Sequence, residues 1–235
     1  KYKDLEILIY DDNSDDNSLE ILNKYKKKNI KIIINKSQKT GIAAFDAKNG
    51  YYHLIKKSKG KILFLLDSDD YFEKNKIFKI VDFFNKNSKV DFIQDLPFIE
   101  FSNHVEKKIN KNNFLSFWPY LAPESCISFR KKFIKNFILK NLKTQKKYPD
   151  VWFGFRVGIY AYFVKKNFYT INKNLTFYKS YGESKKYKFF SFNWFRRRLN
   201  SFDYLSDITK KKNIFKYSLD YNFTKVITFL LNLLK

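Results

Sequence analysis

Two acidic clusters, Asp11-Asp12-Asn13-Ser14-Asp15-Asp16 and Asp67-Ser68-Asp69-Asp70, each stand directly behind a short apolar run in a chain of net charge +24. The runs, Leu5-Glu6-Ile7-Leu8-Ile9-Tyr10 and Lys61-Ile62-Leu63-Phe64-Leu65-Leu66, have strand length and are rich in branched and aromatic residues. With 23 acidic residues against 47 basic ones, carboxylates are scarce, so two concentrated groups behind two strands point to a site. If both strands run parallel in one sheet, both clusters emerge at its carboxyl edge, where open α/β sheets bind ligands.

The rest of the first half supports that sheet. Strands over 5–10, 31–34, 61–66 and 90–93 alternate with helices over 18–28, 42–57 and 74–86, which predicts an α/β, mostly parallel sheet with right-handed crossovers. Asn17 or Ser18 caps the first helix. Ala43, Ala47, Leu54 and Ile55 are the expected core face of the second, and Ile77, Ile80, Val81 and Phe84 that of the third. Beyond residue 95 the alternation loosens to a strand over 125–129 and helices over 131–142 and 150–163. From Lys185 onward the chain is basic, aromatic and helical. A length of 235 residues suits one large domain, and no repeat or flexible linker divides it.

Composition excludes several classes. The single Cys126 leaves no internal disulfide and no Cys-based zinc site, and fits a reducing compartment. No apolar run reaches the ~20 residues that span a bilayer, and Lys1-Tyr2-Lys3-Asp4 does not begin a signal peptide. The charge favours polyanions. Lysine is nevertheless scattered over every segment, with no basic stripe and no zinc-finger or RNA-binding signature, so no specific nucleic-acid partner is expected. The chain lacks Met and enters its first strand almost at once, so an upstream strand is expected to be missing.

Carboxylates repel phosphates, so an acidic site for a phosphorylated ligand needs a divalent cation between them. Mg²⁺ and Mn²⁺ accept one or two carboxylates plus diphosphate oxygens and water. Asp67-Ser68-Asp69 suits that task, and the usual phosphate cradles, G-x-G-x-x-G and G-K-[ST], are absent. A solvated loop, or a helix start at Asp69 or Asp70, accounts for either cluster alone equally well.

Ile7-Leu8-Ile9-Tyr10-Asp11-Asp12-Asn13-Ser14-Asp15-Asp16-Asn17-Ser18 resembles the second-strand motif of family 2 glycosyltransferases with the GT-A fold, of the bacterial surface-glycan type. Leu65-Leu66-Asp67-Ser68-Asp69-Asp70 resembles their D-x-D motif, and Thr40-Gly41-Ile42-Ala43-Ala44 with Ala47-Lys48-Asn49-Gly50 their G-x-x-x-A-R-N stretch. Lys48 stands where Arg is usual, which keeps the charge and loses the bidentate geometry. The resemblance is close over residues 5–95 and loose beyond. It implies a missing first strand ending near P-x-Y-N.

Residue by residue, the resemblance implies that Asp12 contacts the base and that Lys48 belongs to the nucleotide-binding stretch. Asp67 contacts the ribose or the metal, Asp69 is the main ligand of Mn²⁺ or Mg²⁺, and Asp70 is a secondary contact. Tyr148-Pro149-Asp150-Val151-Trp152-Phe153-Gly154-Phe155-Arg156 resembles the family's acidic pair opening a helix, with Pro149 in place of the first acid. Asp150 is then the general base, Arg156 its orienting group or a balance for the diphosphate, and Glu124 the reserve base. Asp150 as a plain helix cap fits the local sequence as well.

The implied activity is inverting transfer of a hexose from a nucleotide-diphosphate donor, first of all a UDP-sugar, to a glycan or lipid-linked hydroxyl. Residues 1–95 would form the nucleotide-sugar half, 96–184 the acceptor and catalytic half, and 185–235 a basic aromatic tail. The competing reading is a truncated or degenerate, non-catalytic binding module. His53 and His104 read as structural or solvated, Cys126 as core, and Trp118 and Trp152 as packing or as sugar-stacking platforms. Cations and aromatics interleave over 185–198, which suits an anionic membrane surface on the cytoplasmic side. A helical lid and a dimer interface remain open for the tail.

Overall fold

The computed structural model describes residues 2, 4–25, 28–110, 115–141, 144, 146–180, 188–211 and 214–233. The chain begins with β1 (Ile7–Asp11), α1 (Ser18–Lys24), β2 (Ile30–Ile34) and α2 (Ala43–Lys57), and its two strands pair in parallel from Ile7 opposite Ile30 to Asp11 opposite Ile34. Next come β3 (Ile62–Phe64), β4 (Tyr71–Phe72), α3 (Lys76–Lys86), β5 (Phe92–Glu100) and β6 (Val105–Lys107). A 3₁₀ turn at Glu124–Cys126 leads into β7 (Ile127–Arg130) and α4 (Lys131–Asn141). Then α5 (Phe153–Ile159) runs on as a π-helical turn, Tyr160–Lys165, before β8 (Phe168–Lys179), α6 (Phe192–Thr209) and α7 (Leu219–Leu233).

Among the described residues β1 and β2 form a ladder of their own, and the larger sheet has the order β3-β7-β5-β8-β4 with β6 on β5. Strand β7 is antiparallel to both β3 and β5, and β8 is parallel to β5, so β3, β5 and β8 share one direction. The α/β class follows the expectation, with antiparallel β4, β6 and β7 added to it. Strands β1 and β3, expected in one sheet, lie in separate ones, and side chains link them. The Glu6 carboxylate accepts the Lys59 and Gly60 amides at 2.5 and 2.7 Å, which holds the approach to β1 beside the approach to β3.

Strand β5 is covered on both faces, and its alternation decides which residue faces which layer. Phe92 joins Tyr51, Ile127, Phe129, Phe133, Phe137 and Phe153 beneath α2, α4 and α5. Ile93 turns the other way, into Ile80, Phe84 and Leu175 beneath α3. A third cluster places Phe202, Tyr204 and Leu205 of α6 against Trp118 and Ile159.

Several boundaries move from their expected places. The first helix stops at Lys24, and Asn17 makes no side-chain cap; the Asp16 carboxylate instead accepts the Ser18 amide at 2.9 Å. Helix α2 buries Ala44, Lys48, Gly50, Tyr51 and Ile55; of the expected face Ile55 is core, Leu54 packs half-buried against the same cluster, and Ala43 and Ala47 stay half-buried. A Cβ at Gly50 would lie 2.8 Å from the Tyr10 ring. Helix α5 starts at Phe153 with Trp152 as its cap residue, so Asp150 precedes the helix and does not cap it.

Candidate functional site

The first acidic cluster follows β1 through a tight turn. Asn13 takes a left-handed φ of 57°, which asparagine tolerates, and the Asp11 carboxylate accepts the Ser14 amide at 3.2 Å. Asp11 is buried by this turn, and Asp12 is left facing a cavity of about 330 Å³. The Asn35 amide, at the end of β2, donates to Asp12 Oδ1 at 2.6 Å. Thr40, Asn49, Tyr52 and His53 complete much of the lining, and His53 stacks on Tyr10 with ring centroids 5.7 Å apart. His53, read from sequence as a structural or solvated residue, is thus part of the cavity wall. Its helical setting carried no signal of this.

Lys48 is only 1% exposed, with its ammonium 3.8 Å from the Phe45 ring centroid. Burial and the nearby Arg156 charge pull its pKa down to about 7, against an opposing pull from Asp46. Its neighbours Asp46 and Asn49 line the cavity.

Helix α2 joins this cavity to the second cluster. Tyr52 and His53 face Asp12's cavity, while the adjacent Tyr51 donates its hydroxyl to Asp67 Oδ1 at 2.5 Å. The Asp67 amide donates to Ser125 Oγ at 2.9 Å. Burial drives the Asp67 pKa up to about 6, with the Tyr51 hydrogen bond acting against it and the charges of Asp70 and Asp69 adding to it. Asp70 is buried, accepts the Lys179 amide at 2.9 Å, and is also raised, first by burial and against the neighbouring Ser125 hydroxyl. Asp69 is the exposed acid of the turn.

Beneath the turn lies a buried ion pair. Lys76 Nζ is 2.7 Å from Asp95 Oδ2, both side chains are fully buried, and Nζ also donates to the Ser125 carbonyl and to Thr176 Oγ1 at 2.6 Å each. Thr176 in turn donates to Asp95 Oδ1 at 2.7 Å. Ser125 is therefore held from below through its carbonyl while its hydroxyl holds the Asp67 amide from above.

Glu124, the reserve base, is buried beside Asp67. Its Oε1 accepts the Gly154 amide at 2.5 Å, and a Cβ on Gly154 would come within 2.8 Å of Glu124 Cγ. Burial, then the Asp67 charge, pushes its pKa up to about 8 in spite of that hydrogen bond.

Asp150 lies in the segment before α5, where its Oδ2 is 3.2 Å from Arg196 Nη2 of α6 and its side chain is 16% exposed. Arg156 does not reach a carboxylate in these contacts. Its guanidinium donates to the backbone carbonyls of Val151, Thr144, Lys147 and Tyr148 at 2.8, 3.2, 2.9 and 2.5 Å. It clasps the loop that carries Asp150, and so acts on Asp150 through the main chain. Trp118 is buried against Phe202 at 4.6 Å between ring centroids, a packing role, and Trp152 stays half-buried. Cys126 is core, and burial pushes its thiol pKa up.

Among the described residues no three His, Cys, Asp or Glu side chains form a ready cage for a metal. The donor set fits an ion that takes one or two carboxylates from the protein. Asp69 is exposed, and Asp67 keeps its second oxygen beside the Tyr51 bond.

The fold matches the crystal structure of S. aureus TarS 1-349 with a TM-score of 0.56 and 15% identity, covering 95% of this chain and 60% of that one. A second crystal structure of S. aureus TarS gives 0.55 and 15%, over 93% of this chain and 39% of that one. The architecture is thus of GT-A type. The family profile for Glycosyl transferase family 2 matches residues 1–209, and the chain belongs to that family. An Escherichia coli relative, UDP-Glc:alpha-D-GlcNAc-diphosphoundecaprenol beta-1,3-glucosyltransferase WfaP, is 35% identical over 99 residues, 42% of this chain and 37% of the relative. This chain therefore spans a little over a third of WfaP's length and less than two thirds of either TarS structure.

Proposed function

We propose that this glycosyltransferase moves a sugar from a nucleoside-diphosphate donor, a UDP-sugar before others, to a hydroxyl of a lipid-linked or other surface glycan, with inversion. The observation that carries the reading is α2, which sets Tyr51 on Asp67 while the adjacent Tyr52 and His53 face the Asp12 cavity, so one helix is in contact with both acidic clusters. Asp12 with Asn35 reads the base, Lys48 supports the cleft from within the helix, and Asp67 meets the ribose or the metal. The E. coli relative, named for a UDP-glucose donor and a diphosphoundecaprenol acceptor, supports that donor class and acceptor class.

Asp150 takes the proton of the acceptor hydroxyl, whose oxygen attacks the anomeric carbon from the face opposite the diphosphate. The carbon–oxygen bond to the diphosphate breaks, and the diphosphate leaves with the electron pair. Arg156 holds Asp150's loop, and Arg196 keeps its carboxylate oriented. A divalent ion, Mn²⁺ or Mg²⁺, bound by Asp69 and Asp67 together with the diphosphate oxygens, would neutralise the departing charge. Residues 1–95 serve the donor and 96–184 the acceptor, and the enzyme works at the inner face of the cytoplasmic membrane.

The test is turnover of UDP-glucose with a lipid-diphosphate GlcNAc acceptor and Mn²⁺, read as product glycan and its anomeric configuration. Asp150→Asn is expected to lower kcat by about 10²–10⁴-fold with UDP affinity kept. Full activity in that variant would remove Asp150 from the chemistry, and a retained anomeric configuration would remove inversion.

A further inference from the structure

The last helix is packed inside out. On α7 the buried residues are Thr224 and Thr228, one turn apart, while Leu219, Phe223, Val226, Phe229, Leu230 and Leu233 are 48–78% exposed. Leu219, Phe223, Val226, Leu230 and Leu233 recur at alternating four- and three-residue intervals, which puts them on one face of the helix. A water-facing helix packs with the opposite arrangement. The orientation is fixed and not a loose end. Arg198 of α6 donates from Nε to Asp220 Oδ1 at 2.8 Å, and the Phe117 amide donates to Asp220 Oδ2 at 2.8 Å.

The apolar face continues into aromatics at the start of α6. Phe223 lies 6.1 Å from Phe195, which adjoins Phe190 and Trp194, and Phe189 and Phe190 are themselves more than half exposed. Lys188, Lys216 and Lys225, close to these residues in sequence, are exposed. In a chain of net charge +24, two copies meeting face to face repel, whereas an anionic surface is attracted.

We propose that the α6–α7 hairpin docks this enzyme on an anionic lipid bilayer, α7 lying in the plane of the headgroups with its Leu219–Leu233 apolar face inserted. An interfacial helix of this kind sinks about 5–10 Å into the headgroup boundary, and aromatic side chains favour that depth. No helix among the described residues is long and apolar enough to cross a membrane. Docking also reaches the proposed chemistry, because α6 carries Arg196, the partner of Asp150.

The test is sedimentation of the whole chain with vesicles of phosphatidylglycerol and phosphatidylcholine, beside vesicles of phosphatidylcholine alone. Binding is expected to the anionic vesicles, to fall with salt, and to drop about 100-fold in a Phe223→Ser/Phe229→Ser/Leu230→Ser variant whose melting curve and UDP binding are unchanged. Phe229→Trp offers a second reading, since brominated lipid should quench the new tryptophan. Absent vesicle binding by a folded sample, wild-type binding by the triple variant, or no quenching would each overturn the proposal. So would a concentration-dependent dimer that the triple variant abolishes, since a second copy would then own this face. UDP binding is read separately, so failure here leaves the donor site standing, and failure there leaves the bilayer contact standing.

Discussion

Asp95 and Glu124 are both buried acids next to Ser125, and the two regions they occupy treat them oppositely. Under the sheet, Asp95 has Lys76 at 2.7 Å and the Thr176 hydroxyl at 2.7 Å. Burial still raises its pKa, against the pull of Lys76. At the sheet's edge, Glu124 has one backbone amide and another carboxylate, Asp67, close by. The paired acid belongs to the scaffold. The acid kept beside a like charge is a cost to folding, and such arrangements concentrate where a fold serves chemistry. Ser125 joins the two regions by its carbonyl on one side and its hydroxyl on the other.

The contrast is broken most forcefully from below. Lys76→Ala leaves Asp95 buried without its cation and is expected to lower unfolding free energy by about 3–5 kcal/mol, measured by urea denaturation. Lys76→Met with Asp95→Leu should recover most of that loss. A double variant as unstable as the single one would make the pair more than scaffold. Gly154→Ala comes next, because its Cβ meets Glu124 Cγ and Ile127 Cδ1 at 2.8 Å each; overpacking of this kind costs about 1–3 kcal/mol.

Glu124 itself gives the sharpest contrast in sign. Its folded pKa of about 8 exceeds the ordinary 4.5, so the folded state holds its proton more tightly than the unfolded chain does. That contribution is complete below pH 4.5 and is lost as pH rises through about 8. Melting curves of Glu124→Gln in chelator, compared with the parent, should gain relative stability across that window. A variant that loses relative stability there would mean that the folded state lowers the Glu124 pKa, and would overturn this account of the site. The smallest effect is expected at the surface, where Glu20 and Lys24 form an exposed i,i+4 pair at 2.8 Å; Glu20→Ala should shift stability by no more than about 0.5 kcal/mol.

Local signals in the sequence carried much of this. The apolar runs marked β1, β2 and β3, and the acidic motifs marked the turns behind β1 and β3, because strand period and turn chemistry are short-range properties. Strand β8, twelve residues long, went unseen: Asn172, Lys173 and Asn174 interrupt its alternation, and its pairing with β5 is made across 76 positions at Phe92–Phe168. The contacts that Tyr51 and Ser125 make with Asp67 were equally out of reach, since nothing local distinguishes a site tyrosine in a chain with 17 of them. Arg156 was placed near Asp150 from its motif. That it grips backbone carbonyls and not a carboxylate depends on where the carbonyls of Thr144, Lys147, Tyr148 and Val151 are placed around it.

The central claim is that the Asp67–Asp70 turn and the Asp12 cleft form one metal-assisted nucleotide site. Calorimetric titration of UDP tests it most directly, run with Mn²⁺, with chelator, and with Asp69→Asn. Binding that requires Mn²⁺ and disappears in the variant is the expected result. Equal heats in all three conditions, from samples with matching melting curves, would contradict it.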